Sequence, residues 1–441
     1  MPSARDSASF FATVPVMRIV RRLLPLLLLA VLPAQTRAAV KILAIGDSLT
    51  EEYTDEASLA GIGPNIHNWT ELIRSYRATE ANLGTFKAGN YFDWRTKGAS
   101  ANFAFPGFTT SDWIGILNTT STTNYDGKTK AAIISELPTA NVAVIFLGAN
   151  DLSDVYGSVF NNTESPTALS DIVNRIATIH DWVRARDATI PIVICTVADI
   201  GATPSKAATY SDPAKRITTR AKVAAFNQSI ITMAQGKGAT VARIDRLTDR
   251  AYDENPFNLN GTVFTLAGAS NNPAGRVFSQ DNFHPATVGQ FLILNEVLAA
   301  CKTATAQTLT VFPNREILTN LGFNADAPYN TWRAGYAGLG VPTADDDKDG
   351  LPNLVEYALG TSPQTRTSPW TFTVPMNGTV KFPTSAINLR YASLTVMESV
   401  NLTTWSAVPG NRITVAGDGT WTIIPASSGK GFYRLKAEVR P

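Results

Sequence analysis

A serine hydroxyl becomes a nucleophile only when a base accepts its proton, and that base is normally a histidine. This 441-residue chain has three histidines, so the choice is narrow. His284 lies in DNFHP, three residues after Asp281, so a single turn presents a carboxylate and an imidazole together. A carboxylate on Nδ1 holds the imidazole tautomer and stabilises the imidazolium, leaving Nε2 for a serine proton. Ser48, in GDSLT directly after the apolar run VKILAIG, stands where such a proton would come from. His67, in the loop GPNIHNWT, and His180, on a helix with an apolar stripe, suit structural positions better.

Acyl transfer also needs hydrogen-bond donors aimed at the oxyanion that develops on the carbonyl. Asn150, in GAND after the apolar run NVAVIFLG, offers a side-chain amide, and Gly107, in FPGFTT, lets the backbone approach a ligand with no side chain between. Each residue has a plainer use: helix caps for Ser48 and Asp281, a Pro-Gly turn for Gly107, an Asx turn for Asn150. Their joint order along the chain is what favours chemistry.

Positioning these residues requires a scaffold. From Val40 to about Thr305 short β-rich runs (VKILAIG, ANFAFPG, NVAVIFLG, IPIVICTV, ATVARID) alternate with helical patterns. Such alternation implies a parallel sheet covered by helices on both faces, with ligands at the carboxyl ends of the strands. In SPTALSDIVNRIATIHDWVRAR, Leu169, Ile172, Val173, Ile176, Ile179 and Val183 recur at helical spacing, and Ser165 with Pro166 reads as the N-cap and first turn. A long helical run, ATVGQFLILNEVLAA, follows His284 and closes the domain.

Taken together, Ser48 in GDSLT, Gly107 in NFAFPGFTT, Asn150 in GAND and His284 in DNFHP resemble the successive blocks of SGNH (GDSL-like) hydrolases, in family order, over roughly Lys41–Ala300. The resemblance implies a flavodoxin-like α/β/α sandwich with Ser48 as nucleophile, His284 as general base and Asp281 orienting it. It further implies an oxyanion hole of the Ser48 N–H, the Gly107 N–H and Asn150, with no catalytic metal or organic cofactor. An α/β-hydrolase elbow is disfavoured, because Thr50 stands where G-x-S-x-G needs its second glycine and the serine follows the first strand. Between Glu51 and Gly98 an insert carries His67, Trp69, Tyr91, Trp94 and Arg95, which suit a pocket wall or, more often, a packed lid.

Past Thr305 the chain turns rich in Ala and Gly and then acidic. DDDKDGLPNLVE spaces Asp345, Asp347 and Asp349 alternately, with Gly350 at the turn, Leu351 supplying a carbonyl, Asn353 an oxygen and Glu356 the closing carboxylate. Hard oxygen ligands at this spacing favour a structural calcium. With no obvious entering helix, the loop resembles the single calcium loops of dockerin and thrombospondin type 3 repeats more than a paired EF-hand. The runs WTFTVP, GTVKFP, LTVMES, TWTII and FYRLKAE then predict a small antiparallel β-domain, in which Trp370, Trp405 and Trp421 serve as core or as a binding surface. This tail resembles C-terminal extensions on exported proteins of environmental bacteria.

The expected organisation is a signal peptide over 1–38, a catalytic domain over 39–305, a linker and helical segment over 306–365 containing the calcium loop 345–356, and a β-rich domain over 366–441. Arg18, Arg21 and Arg22 precede LLPLLLLAVLPA, and small residues end at Ala38, which is signal-peptide order; translation from Met17 would serve equally. Removing residues 1–38 takes away five arginines and one aspartate, moving the net charge from +2 to −2, so nothing points to a nucleic-acid partner. The apolar run is short and proline-interrupted, so no membrane span is expected once it is cleaved. Cys195 and Cys301 both suit small buried hydrophobes rather than a disulfide. The expectation is a secreted, periplasmic or cell-surface esterase acting on small O-acyl groups of a small-molecule or polysaccharide substrate. A lipid esterase or lysophospholipase, and a non-catalytic calcium-stabilised surface-binding protein, are the alternatives; oligomeric state is open.

Overall fold

The computed structural model describes residues 38–54, 65–254, 256–267, 275–368, 371–372, 379–426 and 431–441. The expected signal segment up to residue 37, and Trp370, lie outside them. Residues 38–441 form one compact unit.

The chain begins with β1 (Val40–Gly46), then α1 (Trp69–Tyr76), β2 (Ala81–Asn82), the pair β3 (Phe86–Lys87) and β4 (Gly98–Ala99), and β5 (Asn102–Ala104). α2 (Thr110–Asn118), α3 (Tyr125–Glu136), β6 (Val142–Phe146), α4 (Ala149–Asn161), α5 (Ala168–Arg184) and β7 (Ile192–Cys195) follow. α6 (Pro204–Thr209), α7 (Pro213–Gly236), β8 (Thr240–Ala242), α8 (Asp245–Asp253), the hairpin β9 (Phe257–Leu259) and β10 (Thr262–Phe264), and α9 (Thr287–Thr305) complete the α/β body. The main sheet runs β2-β1-β6-β7-β8, with β5 also on β1, and every pairing is parallel. Its register sets Ile45 beside Phe103, Ala44 beside Val144, Val144 beside Val193 and Ile194 beside Val241.

Strands buried on both faces read as continuous apolar runs rather than alternations, which is why VAVIF has no polar residue and VKILAIG only Lys41, near its start. α1 packs on α9, while α2, α5 and α7 pack in series, so the sheet is covered by two helical layers, as the α/β/α expectation required. Ile172, Ile176, Ile179 and Val183 of α5 are buried as their spacing implied. Its start differs: Ser165 and Pro166 form a turn, with the Ala168 N–H donating to the Ser165 carbonyl, and the helix opens at Ala168. Cys195 and Cys301 are buried and unpaired.

Beyond α9 lie α10 (Asn314–Asn320), α11 (Ala327–Arg333), α12 (Asn353–Leu359), β11 (Thr371–Phe372), β12 (Val380–Phe382), β13 (Ala392–Ser399), β14 (Ser406–Ala407), β15 (Ile413–Val415), β16 (Trp421–Ile423) and β17 (Phe432–Val439). Two small antiparallel sheets result, β11-β12-β16-β15 and β14-β13-β17. Leu309, Phe312, Ile317 and Leu318 pack into the core of the α/β body, whereas Tyr329, Leu354, Tyr357, Tyr391 and Leu435 belong to a second core. Polar contacts join the two: Asn260 Nδ2 donates to the Arg440 carbonyl at 3.0 Å, and the Tyr391 hydroxyl donates to Asp326 at 2.6 Å.

Candidate active site

Three of the four sequence blocks come from the carboxyl ends of neighbouring parallel strands. β1 leads into Ser48, β5 into Gly107 and β6 into Asn150, and because β5 and β6 flank β1 the three meet at one edge. The Ser48 turn is pinned from several sides. The Leu49 N–H donates to Asp47 Oδ1 at 2.9 Å, the Thr50 N–H to the Asp47 carbonyl at 2.9 Å, and the Trp113 indole to the Gly46 carbonyl at 3.0 Å.

The loop before α9 brings His284 over that turn. His284 Nε2 lies 2.8 Å from Ser48 Oγ, and Nδ1 lies 2.5 Å from Asp281 Oδ2. The other carboxylate oxygen of Asp281 accepts from the Ser279 hydroxyl at 2.6 Å and from the Phe283 and His284 N–H groups at 2.9 Å each. Burial pushes the Asp281 carboxyl up, but the hydrogen bonds and charge of His284, with Ser279 and the Phe283 amide, outweigh it and hold the group well below the ordinary carboxylate range. Asp281 is therefore an anion at any working pH, oriented on Nδ1, with Nε2 facing the serine. Residues 236 apart in sequence are joined into one hydrogen-bonded run, Asp281–His284–Ser48.

The donors are also held in place. Asn150 Nδ2 donates one hydrogen to the Phe108 carbonyl at 2.9 Å, and its second is left for the cleft it shares with Ser48. Gly107 is exposed at φ +80°, a left-handed conformation that a side chain would strain. Asp151, next to Asn150, accepts from the Thr110 N–H at 2.8 Å and hydroxyl at 2.5 Å, and Arg175 closes the ring at 3.0 Å to Asp151 and 2.7 Å to Thr110. The segment after β5 is thus clamped to the start of α4.

A family model described as the GDSL-like lipase/acylhydrolase family matches residues 44–292, more than half of the chain. The chain belongs to this family. No curated protein matches it. Solved structures with some likeness include an α/β hydrolase from the metagenome of Lake Arreo (15% identity, 60% of this chain and 97% of that one, TM-score 0.35). An acetylxylan esterase from Geobacillus stearothermophilus (14%, 60% and 95%, 0.35) and a family 3 carbohydrate esterase from Clostridium thermocellum (15%, 61% and 98%, 0.32) are others. Likenesses this loose carry no argument about substrate.

In this acylhydrolase the cleft has two unlike flanks. On the β7–β8 side an apolar cavity opens beside Ser48 and Asn150. On the β5 side Trp94, Tyr125 and Phe108 form an aromatic patch, with Trp94 5.3 Å from Tyr125 and 5.6 Å from Phe108 between ring centroids. Trp94 is 43% exposed and Tyr125 52%. The rest of the insert is structural: Trp69 is buried in the core, and buried Arg95 pairs with Asp93 at 2.7 Å between the rings of Tyr91 and Phe103. His67 lies 4.0 Å from Glu71 and its backbone N–H donates to the Thr287 hydroxyl at 3.2 Å, and His180 is buried with Nδ1 2.9 Å from Asp181; neither imidazole is hydrogen-bonded to Ser48.

Sequence reasoning missed Ser279, Asp151 and Arg175. Asp151 had a signal, as the final residue of GAND, and Ser279 stands two residues before Asp281; Arg175 had none. In the acidic loop, Asp345, Asp347 and Asp349 place carboxylate oxygens within 4.8 Å of one another. Trp405 donates to the Leu402 carbonyl under the Arg434 guanidinium, and Trp421 packs on Phe382. Among the described residues no helix is long and apolar enough to cross a membrane.

Proposed function

We propose that this acylhydrolase is an exported serine esterase that cleaves carboxylic esters, O-acylated carbohydrate in particular, through an acyl-enzyme on Ser48. The observation that carries the proposal is the continuous Asp281–His284–Ser48 hydrogen bonding at the strand ends. His284 Nε2 takes the Ser48 proton as Oγ bonds to the ester carbonyl carbon, and Asp281 stabilises the imidazolium that forms. The resulting oxyanion meets the Ser48 and Gly107 N–H groups and the free Asn150 amide hydrogen. His284 then gives its proton to the departing alcohol oxygen. Water repeats the sequence on the acyl-enzyme, releasing the carboxylic acid and restoring Ser48.

Carbohydrate as the alcohol part is supported by the exposed Trp94–Tyr125 patch, since the C–H faces of sugar rings stack on aromatic faces. Export is supported by the basic-then-apolar order of residues 1–38. Hydrolysis of p-nitrophenyl esters and of acylated polysaccharides by the mature chain, beside Ser48→Ala and His284→Ala, tests the reading. Loss of about 10⁴-fold or more in both variants is expected. Wild-type turnover no faster than Ser48→Ala on every ester would remove the serine mechanism.

The acidic loop belongs to the fold rather than to catalysis, and we read it as a structural calcium site. Glu356 is fully buried on α12 with neither carboxylate oxygen partnered, and Asp347 Oδ2 and Asn353 Oδ1 are likewise without partners. A buried carboxylate facing three aspartates needs a cation or a proton. Asp345, Asp347, Asp349, Asn353, the Leu351 carbonyl and Glu356 would hold calcium. Since Leu351, Leu354 and Tyr357 build the second core, chelation should lower the melting temperature of the full chain, and Glu356→Gln should abolish the response to added calcium. A melting temperature indifferent to calcium in the wild type would sink this assignment.

A further inference from the structure

The apolar cavity beside Ser48 is walled by segments that follow β7 and β8, by the His284 loop and by the start of α9, with Ile200, Leu247, Ala251, Phe257, Phe283 and Leu292 among its lining. No described residue lining it is charged. Its two threonines turn their hydroxyls away: Thr203 donates to the Ile200 carbonyl at 2.8 Å, and Thr248 donates to the Asp245 carbonyl at 2.8 Å. Each oxygen also accepts a backbone N–H, from Lys206 at 3.3 Å and Asp199 at 3.2 Å. Both hydroxyls are therefore spent within the protein, and a ligand entering here meets almost only carbon.

A sugar hydroxyl placed in this cavity would give up water for nothing, whereas an alkyl chain gains burial. The polar alcohol part of the substrate is excluded from it, and the acyl part is not. The free space is about 70 Å³. Apolar protein cavities of about 150 Å³ accept benzene, with its six carbons, so about three carbons fit here.

We infer that this cavity is the acyl pocket and that it selects a butyryl-sized group, three carbons beyond the carbonyl, over acetyl. The inference rests on the serine-esterase reading and adds its acyl class. It also explains why a lipid-length chain is not expected: the cavity is apolar but short.

Acyl-length profiling with p-nitrophenyl esters from acetate to octanoate tests it. At about fourfold per buried methylene, kcat/KM should rise roughly 15-fold from acetate to butyrate and then stop rising. Ala251→Leu, which fills the cavity, should pull the butyrate-to-acetate ratio towards one; Leu247→Ala, which enlarges it, should move the optimum to longer chains. A maximum at acetate, or a ratio that neither variant moves, overturns the inference, as does a matching dependence on alcohol length in methyl to butyl acetates. Thermal-shift titration of Ser48→Ala protein reads the pocket without turnover. Tighter binding of p-nitrophenyl butyrate than of the acetate supports it and equal binding refutes it, even if the esterase reading itself fails.

Discussion

Replacing Asp281 by asparagine tests the division of labour in the site most directly. Asp281 Oδ2 sits 2.5 Å from His284 Nδ1, so the carboxylate faces the positive charge that the imidazole acquires in the transition state. Two unit charges about 4 Å apart at an effective dielectric of 20 attract by about 4 kcal/mol, close to 10³-fold in rate. Asparagine keeps the shape and one acceptor oxygen, which the Ser279 hydroxyl and the two backbone N–H groups continue to hold. Its amide nitrogen then faces Nδ1 and favours the tautomer that carries hydrogen on Nε2, where Ser48 needs an acceptor. Charge and tautomer together predict a fall in kcat of about 10³- to 10⁴-fold with KM little changed. Steady-state kinetics on p-nitrophenyl butyrate, with circular dichroism to confirm folding, measure it. A folded Asp281→Asn enzyme within tenfold of wild type would mean that Asp281 merely caps the turn and that Ser48 and His284 act as a pair.

Other residues give sharper tests of the surroundings. Asp47 is buried with Oδ2 unpartnered, and burial pushes its carboxyl up to about 7, against the Leu49 hydrogen bond and the charge of His284. A folded-state value above the ordinary 3.8 means its stability contribution is complete below pH 4 and is lost as pH rises to about 7, on the order of 4 kcal/mol. Asp47→Asn avoids that loss but leaves an unpaired donor worth about 1–3 kcal/mol. Urea denaturation should therefore find the variant less stable than wild type at pH 4 and more stable at pH 9; no change of sign would disprove a buried neutral acid. Asn150→Ala should cost about 10²- to 10³-fold in kcat with KM nearly unchanged, the mark of a donor used in the transition state. A loss confined to KM would place Asn150 in ground-state binding instead. Ser279→Ala removes a charge-assisted hydrogen bond to Asp281 and should cost about 1.5–3 kcal/mol at pH 7. Because Asp281 is held below its ordinary range, the difference should fade as pH falls below about 4; a loss equal at both pH values would show that the bond does not serve the anion.

What could be read from the chain followed the reach of each interaction. β6 and β7 announced themselves as apolar runs because a strand buried on both faces has no polar side to show, and β1 did so with Lys41 as its one polar residue, whereas β5 and β8 are short and include Asn102 and Thr240. Asp281 and His284 were legible as a pair because they stand three positions apart and one turn joins them. Asn150 and Gly107 were legible as strand-end residues, but what aims Asn150, the Phe108 carbonyl, lies 42 residues away and left no pattern. The same holds for the Asp151–Thr110–Arg175 clamp, which joins three elements by side chains ordinary in any helix or loop. The misplaced start of α5 has a local cause. Ser165 and Pro166 do make the turn their types suggest, but the helix waits until Ala168, since a cap-like turn and a helix N-terminus use the same residues.

The acyl cavity was the least legible feature, and the reason bears on specificity in this fold. Catalysis needs a few polar residues at fixed positions, and these recur as short motifs. A pocket needs only the absence of atoms between side chains from several loops and helices, and Ile200, Leu247 and Leu292 look like any core residues in the sequence. Cavity size is set by how segments after β7 and β8 pack against α9, a property no single segment carries. Substitutions there are hydrophobic for hydrophobic and cost little folding energy when volume is kept, usually under ~1.5 kcal/mol. Acyl preference can therefore drift while Ser48, Asn150, Asp281 and His284 stay fixed, and a match to the family says which bond is cut without saying which acyl group is released.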